Sequence, residues 1–431
     1  MFKEFLKMTF KSIFQHKKQS SVAIVSMCSV LVCYTVFEGY KLNIHYLFSK
    51  VYEHKLMYGD LIIEHKNKIE SQLTENLLTT EDQNTIYNVL AKHSNLINAK
   101  TAHLFFQAQI STGLGQYIVF INSSDLQESQ TMKTQPYIWD VFYGSPLNNK
   151  SSSILISYAL SQKLNCRYEQ DISSIIKQNA TIKSGVREFS CPEMNFQISN
   201  VTRNGQLNVA SIPVSGVFDG IYEELDDKMI QMPLELAQKI FGEPVVSKIS
   251  VQTKNEKSTK TLQNFLQSEL PQYKVTPWFK HEVGSIYKKT MSLFNLFSQF
   301  VLIILSTISF FIIFNTLFKV LLERQREFGL FLSIGYKKKH LYFLSFLEGQ
   351  FLVITSAIIG IVVYYFINVC LNALELKYQA GLLSRSIILS LDFPFEKAVF
   401  AFIGLALLNA ILTFFFMFIF LKKKIIDLLK T

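Results

Sequence analysis

The sequence predicts an α-helical membrane protein with four transmembrane helices and a large α+β extracytoplasmic domain inserted between helices 1 and 2. Three observations carry this expectation. Four stretches with at most one charge are each long enough to cross a bilayer. Lys and Arg cluster where those stretches meet one side. The long segment between the first two stretches reads as short strands and helices.

Composition sets the class. The 431 residues include 38 Phe and are 14% aromatic, with a mean hydropathy of +0.21, more apolar than a soluble enzyme needs. Only 17 Gly and 9 Pro exclude a collagen-like or linker-like chain, and abundant Ile, Leu and Phe exclude global disorder. The net charge is +10, and its distribution gives it meaning. The flanks 1–18, 319–340 and 422–431 hold 15 Lys/Arg against four acids, Glu4, Glu323, Glu327 and Asp427, whereas 38–289 holds 25 of each sign. The surplus abuts apolar runs, as the positive-inside rule requires. A nucleic-acid partner would want it on one soluble face and is not expected.

In chain order, residues 1–18 read as a cytoplasmic amphipathic helix. Phe2, Phe5, Leu6, Phe10, Ile13 and Phe14 recur at helical spacing, with Lys3, Lys7 and Lys11 on another stripe. The pattern suits a helix in the inner headgroup layer or a plain lead-in to the first span. Transmembrane helix 1 is assigned to 19–45, around the 19 uncharged residues Gln19 to Phe37. That run is longer than the apolar region of a signal peptide, and no small-residue cleavage site follows in Glu38-Gly39-Tyr40-Lys41. The extracytoplasmic α+β domain takes 46–285. Transmembrane helix 2, with an outer stalk, takes 286–320 and contains 29 uncharged residues. A cytoplasmic coupling segment, 321–340, follows. Then come transmembrane helix 3 (341–374, with Glu348 inside), an outer loop (375–397), transmembrane helix 4 (398–421) and a cytoplasmic tail (422–431). The Lys/Arg bias puts both termini in the cytoplasm.

Within the large domain, Asp60-Leu-Ile-Ile-Glu64, Tyr117-Ile-Val-Phe-Ile121, Ile154-Leu-Ile156 and Ile249-Ser-Val251 are strand-like, and Gly113-Leu-Gly115 is a hairpin turn. Helical patterns cover 80–92, 157–164, 234–240 and 259–270. The polar stretch 165–211 reads as an irregular loop or inserted subdomain.

Catalytic and metal-binding motifs are missing from the sequence. The eight His are scattered without HExxH, and there is no GxSxG, no CxxC and no GxxxxGK[ST]. The expectation is no catalytic residue, no metal site and no cofactor in this chain, and any ATP dependence would have to come from a partner. Cys28, Cys33 and Cys370 lie in spans as small apolar fillers. Cys166 and Cys191 stand outside, either bonded or as two free thiols. Glu348 lies about two turns from Lys339 and His340, and reads as an interfacial or helix-packing carboxylate rather than a proton path. In 321–340, Glu323 and Glu327 share a helical face, Phe328, Phe331 and Leu332 form an apolar ridge, and Gly335 ends the helix before Lys337 to Lys339. Such a segment can dock into a groove on a soluble partner.

These residues resemble the FtsX/MacB/LolC–LolE superfamily of ABC transporter permeases. Asn315-Thr-Leu317, Leu322-Glu-Arg-Gln-Arg-Glu-Phe-Gly329, Ile334-Gly335 and Phe346-Leu-Glu-Gly349 are similar to its NTL…LER-x-REIG…A-x-G…FL-x-EG signature, with Phe328 for Ile and Ser333 for Ala. Tyr58-Gly-Asp-Leu-Ile62, Ile154-Leu-Ile-Ser157, Val214-Ser-Gly-Val-Phe218, Met232-Pro-Leu234 and Val275-Thr-Pro-Trp278 resemble landmarks of its outside domain, and the tail from Leu421 resembles its basic end.

The resemblance implies a permease subunit in a bacterial inner membrane. It would work with two copies of a P-loop ATPase and a second permease subunit, identical or homologous. ATPase coupling would fall to Glu323, Arg324, Glu327, Phe328, Gly329, Phe331 and Gly335, and helix packing in the membrane to Asn315, Glu348 and Gly349. The mechanism implied is mechanotransmission, and the second span, about 43 Å long at 1.5 Å per residue, exceeds the roughly 30 Å core as a stalk would. The build is closest to a lipoprotein-releasing permease, with a lipidated or hydrophobic substrate and membrane lipid as partners. A MacB-like exporter of peptides or small molecules, a membrane sensor and an enzyme with an outside catalytic domain are the competing readings.

Overall fold

The computed structural model describes residues 9, 11, 17–66, 75–132, 141–147, 151–169, 187–220, 226–379 and 386–422. The expected N-terminal amphipathic helix and the tail beyond Lys422 lie almost wholly outside them. The chain divides into two units: 1–45 with 290–376 and 388–431, and 46–289 with 377–387.

Helix α1 (Lys17–Lys50) is the first continuous described element and a π-helical turn (Val51–Lys55) extends it. Then come β1 (Leu61–His65), α2 (Thr80–Lys92), β2 (Ile97–Thr112), β3 (Gly115–Ser124), α3 (Leu126–Met132), β4 (Val141–Gly144), β5 (Ile154–Ser157), α4 (Tyr158–Lys163), β6 (Arg167–Tyr168), β7 (Phe189–Ser190), β8 (Asn195–Val201), β9 (Leu207–Phe218), β10 (Met229–Pro233), α5 (Leu234–Phe241), β11 (Lys248–Thr253), α6 (Glu256–Glu269) and β12 (Tyr273–Pro277). Helices α7 (Ser285–Glu323), α8 (Gln325–Ser333) and α9 (Lys338–Leu374), the short pair β13 (Lys377–Gln379) and β14 (Ser386–Ile388), and α10 (Phe395–Phe420) complete it.

In the α+β unit, ten of the described strands form one sheet. Six of them close a ring: β2 pairs β3, β3 pairs β10, β10 pairs β5, β5 pairs β9, β9 pairs β8, and β8 returns to β2. Strand side chains alternate, so the ring fills with Leu104, Phe106, Ile121, Ile156, Phe196 and Ile230, all at most 1% exposed. The order β12-β1-β11 extends the first half of β2 into an open wing, where α2 and α6 pack Ile86, Leu90, Leu262 and Leu266 against Leu61, Ile63, Ile249 and Val251. A Thr79–Asp82 capping box starts α2, and Asn255 caps α6. At the entry to β1, Gly59 has φ +54 and its missing Cβ would fall 2.6 Å from the Val251 carbonyl, so only Gly fits.

The expected strands and helices all lie within or beside observed ones, and Thr112 pairs with Gly115 across the expected hairpin turn. The reading of 165–211 is corrected. Among its described residues stand β6 and β7, all of β8, and β9 as far as Ser211. Exposed Asn195 and Gln197 on β8 alternate with Phe196 and Ile198, which with Ile212 of β9 form an apolar inner face. Cys166 and Cys191 are joined by a disulfide beside the β6–β7 pair.

Among the described residues, four helices are long and apolar enough to cross a membrane: Lys17–Lys55, Glu282–Glu323, Lys338–Leu374 and Phe395–Phe420. Ala23, Met27 and Leu31 of α1 meet Ile313 of α7, Val353 of α9, and Leu405 and Leu412 of α10. Helix α1 outruns the expected span because Glu38 is paired rather than solvated, with Lys41 at 2.8 Å and the Ser298 hydroxyl donating to it.

Candidate functional site

The site is built where α7 gives way to α8. Arg324 interrupts the helix at φ −92, ψ 9, yet its N–H still donates to the Val320 carbonyl at 3.0 Å, and its own carbonyl accepts from the Phe328 N–H at 3.1 Å. The chain bends there without losing those hydrogen bonds. The Arg324 side chain is 5% exposed. A buried guanidinium needs partners, and it has two carboxylates. Its Nη1 donates to Glu348 Oε2 at 2.5 Å and its Nε to Glu327 Oε2 at 3.0 Å, while the guanidinium lies 5.0 Å from the Phe328 ring centre. Glu348 therefore ties α9 to the start of α8.

Phe328 is fully buried and packs with Leu321, Leu341, Phe416, Met417, Phe420 and Leu421, with Phe331 and Leu332 half-buried beside it. The apolar ridge expected to meet a partner is thus turned into the bundle, and Gly329 is buried with it. This corrects the roles given to Phe328, Gly329 and Phe331: the ridge anchors α8. The reason is proximity, since α10 ends beside it and its Phe416 and Phe420 need covering. The opposite stripe is open. Glu323, Arg326 and Glu327 are exposed, Leu330 is 55% and Ile334 68% exposed, and Lys337 to Lys339 follow the Gly335 turn at φ +99. Gln19 of α1 donates to the Glu323 carboxylate. The signal for the true outer face was in the sequence as Arg326, Leu330 and Ile334 at i, i+4 and i+8.

The three packing residues divide. A Cβ on Gly349 would fall 2.5 Å from Asn409 Nδ2, so its bare backbone makes room for an amide of α10. Glu348 packs as described. Asn315 lies on the exposed flank of α7 and packs against no other helix of this bundle's core, while Ile313 turns inward.

The α+β unit holds its own charge clusters. Glu64 Oε2 lies 3.0 Å from His281 Nε2, and its Oε1 lies 3.2 Å from Lys274 Nζ. Burial pushes the Glu64 carboxyl up, but His281 and Lys274 outweigh it and hold its pKa at about 2. Asp226 goes the other way. Burial and the nearby Asp219 charge push it up to about 6, although the Gly220 and Ala159 N–H groups donate to it. Among the described residues no three His, Cys, Asp or Glu side chains gather as a metal site would require.

Residues 299–426 match the family described as FtsX-like permease, C-terminal. The matched stretch contains the Arg324 break, α8, α9 and α10. No curated protein matches the chain. Among solved structures, the extracellular domain of the noncanonic ABC-type transporter YknZ from Gram-positive bacteria is 16% identical, with 51% of this chain and 100% of that one covered and a TM-score of 0.32. The periplasmic region of MacB from Actinobacillus actinomycetemcomitans is 11% identical, with 56% and 95% covered and a TM-score of 0.33. Likeness at these TM-scores leaves the α+β unit to be read from its own geometry.

Proposed function

We propose that this chain, whose residues 299–426 are an FtsX-like permease C-terminal region, is the permease subunit of an ATP-driven ABC transporter in a bacterial inner membrane. The observation that carries the reading is α8: a short helix anchored inward by Phe328 and the Arg324–Glu348 pair, with Arg326, Leu330 and Ile334 left outward. A firmly held helix with an apolar stripe and flanking charges is what a groove on a soluble ATPase can grip. The partner, in two copies, supplies ATP and Mg, and the chain itself supplies no catalysis. The basic flanks favour an orientation with α8 and both termini in the cytoplasm and 46–289 across the membrane.

Movement at α8 passes into α7. The apolar helix Glu282–Glu323 has 42 residues, about 63 Å, twice the roughly 30 Å hydrocarbon core. A rigid rod of that length supports mechanotransmission. The exposed apolar flank of α7, with Asn315 in it, favours a second permease subunit, identical or homologous, since polar groups in a bilayer seek partners. The substrate is a lipidated or otherwise hydrophobic envelope molecule, and a MacB-like exporter of peptides or small molecules fits the same geometry. A membrane sensor would leave α8 without an energy-coupling role.

The test is co-purification in mild detergent. The wild-type chain should bring down a P-loop ATPase, and Arg326→Glu with Leu330→Asp should lose it while the chain stays folded. A chain that retains the ATPase with this face reversed in charge and polarity, or that performs its transport with no ATPase attached, refutes the proposal.

A further inference from the structure

Directly behind the Arg324 break lies a hollow of about 60 Å³ between the four apolar helices. Its lining mixes apolar side chains with Arg324 and seven other polar ones: Ser20, Thr316, Ser345 and a set of four, Gln19 of α1, Glu348 of α9, and Asn409 and Thr413 of α10. Asn409 is 1% and Thr413 2% exposed. Each of the four contributes a buried atom with no hydrogen-bond partner among the described residues: Gln19 Oε1, Glu348 Oε1, Asn409 Nδ2 and Thr413 Oγ1. Buried polar atoms are ordinarily satisfied, and here four unmet ones share one space.

We propose that this hollow is a binding site for a small ordered cluster of water molecules, since its volume exceeds the roughly 15 Å³ that a single water needs. The chemistry of the lining selects the ligand. Glu348 Oε1 and Gln19 Oε1 can only accept, Asn409 Nδ2 can only donate, and Thr413 can do either. A cation would meet the acceptors and leave the amide donor unmet. An anion would face the Glu348 carboxylate. Water meets both kinds. The cluster completes the coordination of Glu348, whose Oε2 is already taken by Arg324, and links that ion pair to α10 and α1. It also gives the pair alternative partners at the place where the helix bends. The inference does not depend on an ATPase, because every atom in it belongs to this chain.

Microsecond X-ray footprinting of the full chain in lipid nanodiscs tests it, since radiolysis of internal water oxidises side chains beside it. Met27 and Met417 line the hollow and are 4% and 0% exposed. Met232, 1% exposed, belongs to the α+β unit and does not line the hollow. Met417 and Met27 should oxidise several-fold faster than Met232. Equal rates would overturn the proposal. Asn409→Leu with Thr413→Val, in a chain that still melts cooperatively, should bring Met417 down to the Met232 rate, and undiminished labelling there would overturn it too. Labelling that vanishes when Na⁺ and K⁺ are replaced by choline would mean a cation site and would also overturn it.

Discussion

Gly349 lacks a side chain in the place where Asn409 needs room. A Cβ there would stand 2.5 Å from the amide nitrogen, closer than packed atoms tolerate. Gly349→Ala should therefore lower stability by about 1–3 kcal/mol, read as a lower melting temperature in detergent, and Asn409→Ala should recover part of the loss. The same scale decides the pH response of the α+β unit. Glu64 is held at about 2 against an ordinary 4.5. Its contribution is fully present above about pH 4.5 and is lost as pH falls toward 2, on the order of 3 kcal/mol. Asp226, raised from 3.8 to about 6, has the opposite sign: its contribution is present below about pH 4 and is lost as pH rises through 6. Both Trp fall within the sequence range 46–289, and Trp278 is buried there, so Trp fluorescence reports unfolding of that unit in the full chain. Glu64→Gln should flatten the acid limb of that midpoint, and Asp226→Asn the limb between pH 4 and 6. A wild-type curve level from pH 2 to 7 would contradict both assignments.

At the level of elements, α8 shows what periodicity can and cannot say. The spacing of Phe328, Phe331 and Leu332 announces an apolar face. It does not say whether that face meets a partner or the chain's own helices. Burial of Phe328 against Phe420 and Met417 answers that. Phe328→Ala should cost about 3–5 kcal/mol of stability, visible in thermal melting. Leu330→Asp, on the exposed stripe, should leave the melting point nearly unmoved yet weaken ATPase retention. If Phe328→Ala instead left stability intact and removed the ATPase, the orientation of the helix described here would be wrong. Strand β2 makes a similar point. Leu104, Phe106, Ala108 and Ile110 alternate as a strand should, but its 16 residues pass from β11 to β8 along one edge, and sequence alone gives no sign of that exchange.

Across the whole molecule, the two units draw stability from different sources. The helical unit depends on the bilayer to cover its exposed apolar flanks, Phe297, Phe300, Ile403 and Ile411 among them. The α+β unit depends on its closed ring, its helix-covered wing and one crosslink. The Cys166–Cys191 disulfide spans 25 residues, a loop whose closure contributes about 3 kcal/mol in the chain-entropy account. Cys166→Ser with Cys191→Ser should lower the stability read from Trp-detected unfolding by about that amount, with the melting of the helical unit unaffected. A shift in the helical unit alone would place the crosslink's effect elsewhere.

Length, hydropathy and charge fixed the number of apolar helices, the run of strand and helix signals between the first two, and the interruption near Gly335, because spanning a bilayer and turning a chain depend on local composition. Packing decided the rest. That β8 and β9 close a ring through a stretch read as loop, that Arg324 reaches Glu348 across 24 residues, that Gly349 yields to Asn409, and that Phe328 faces inward all depend on which surfaces meet. Such meetings are set by the shapes and charges of segments far apart in the chain, and no window of neighbouring residues contains them.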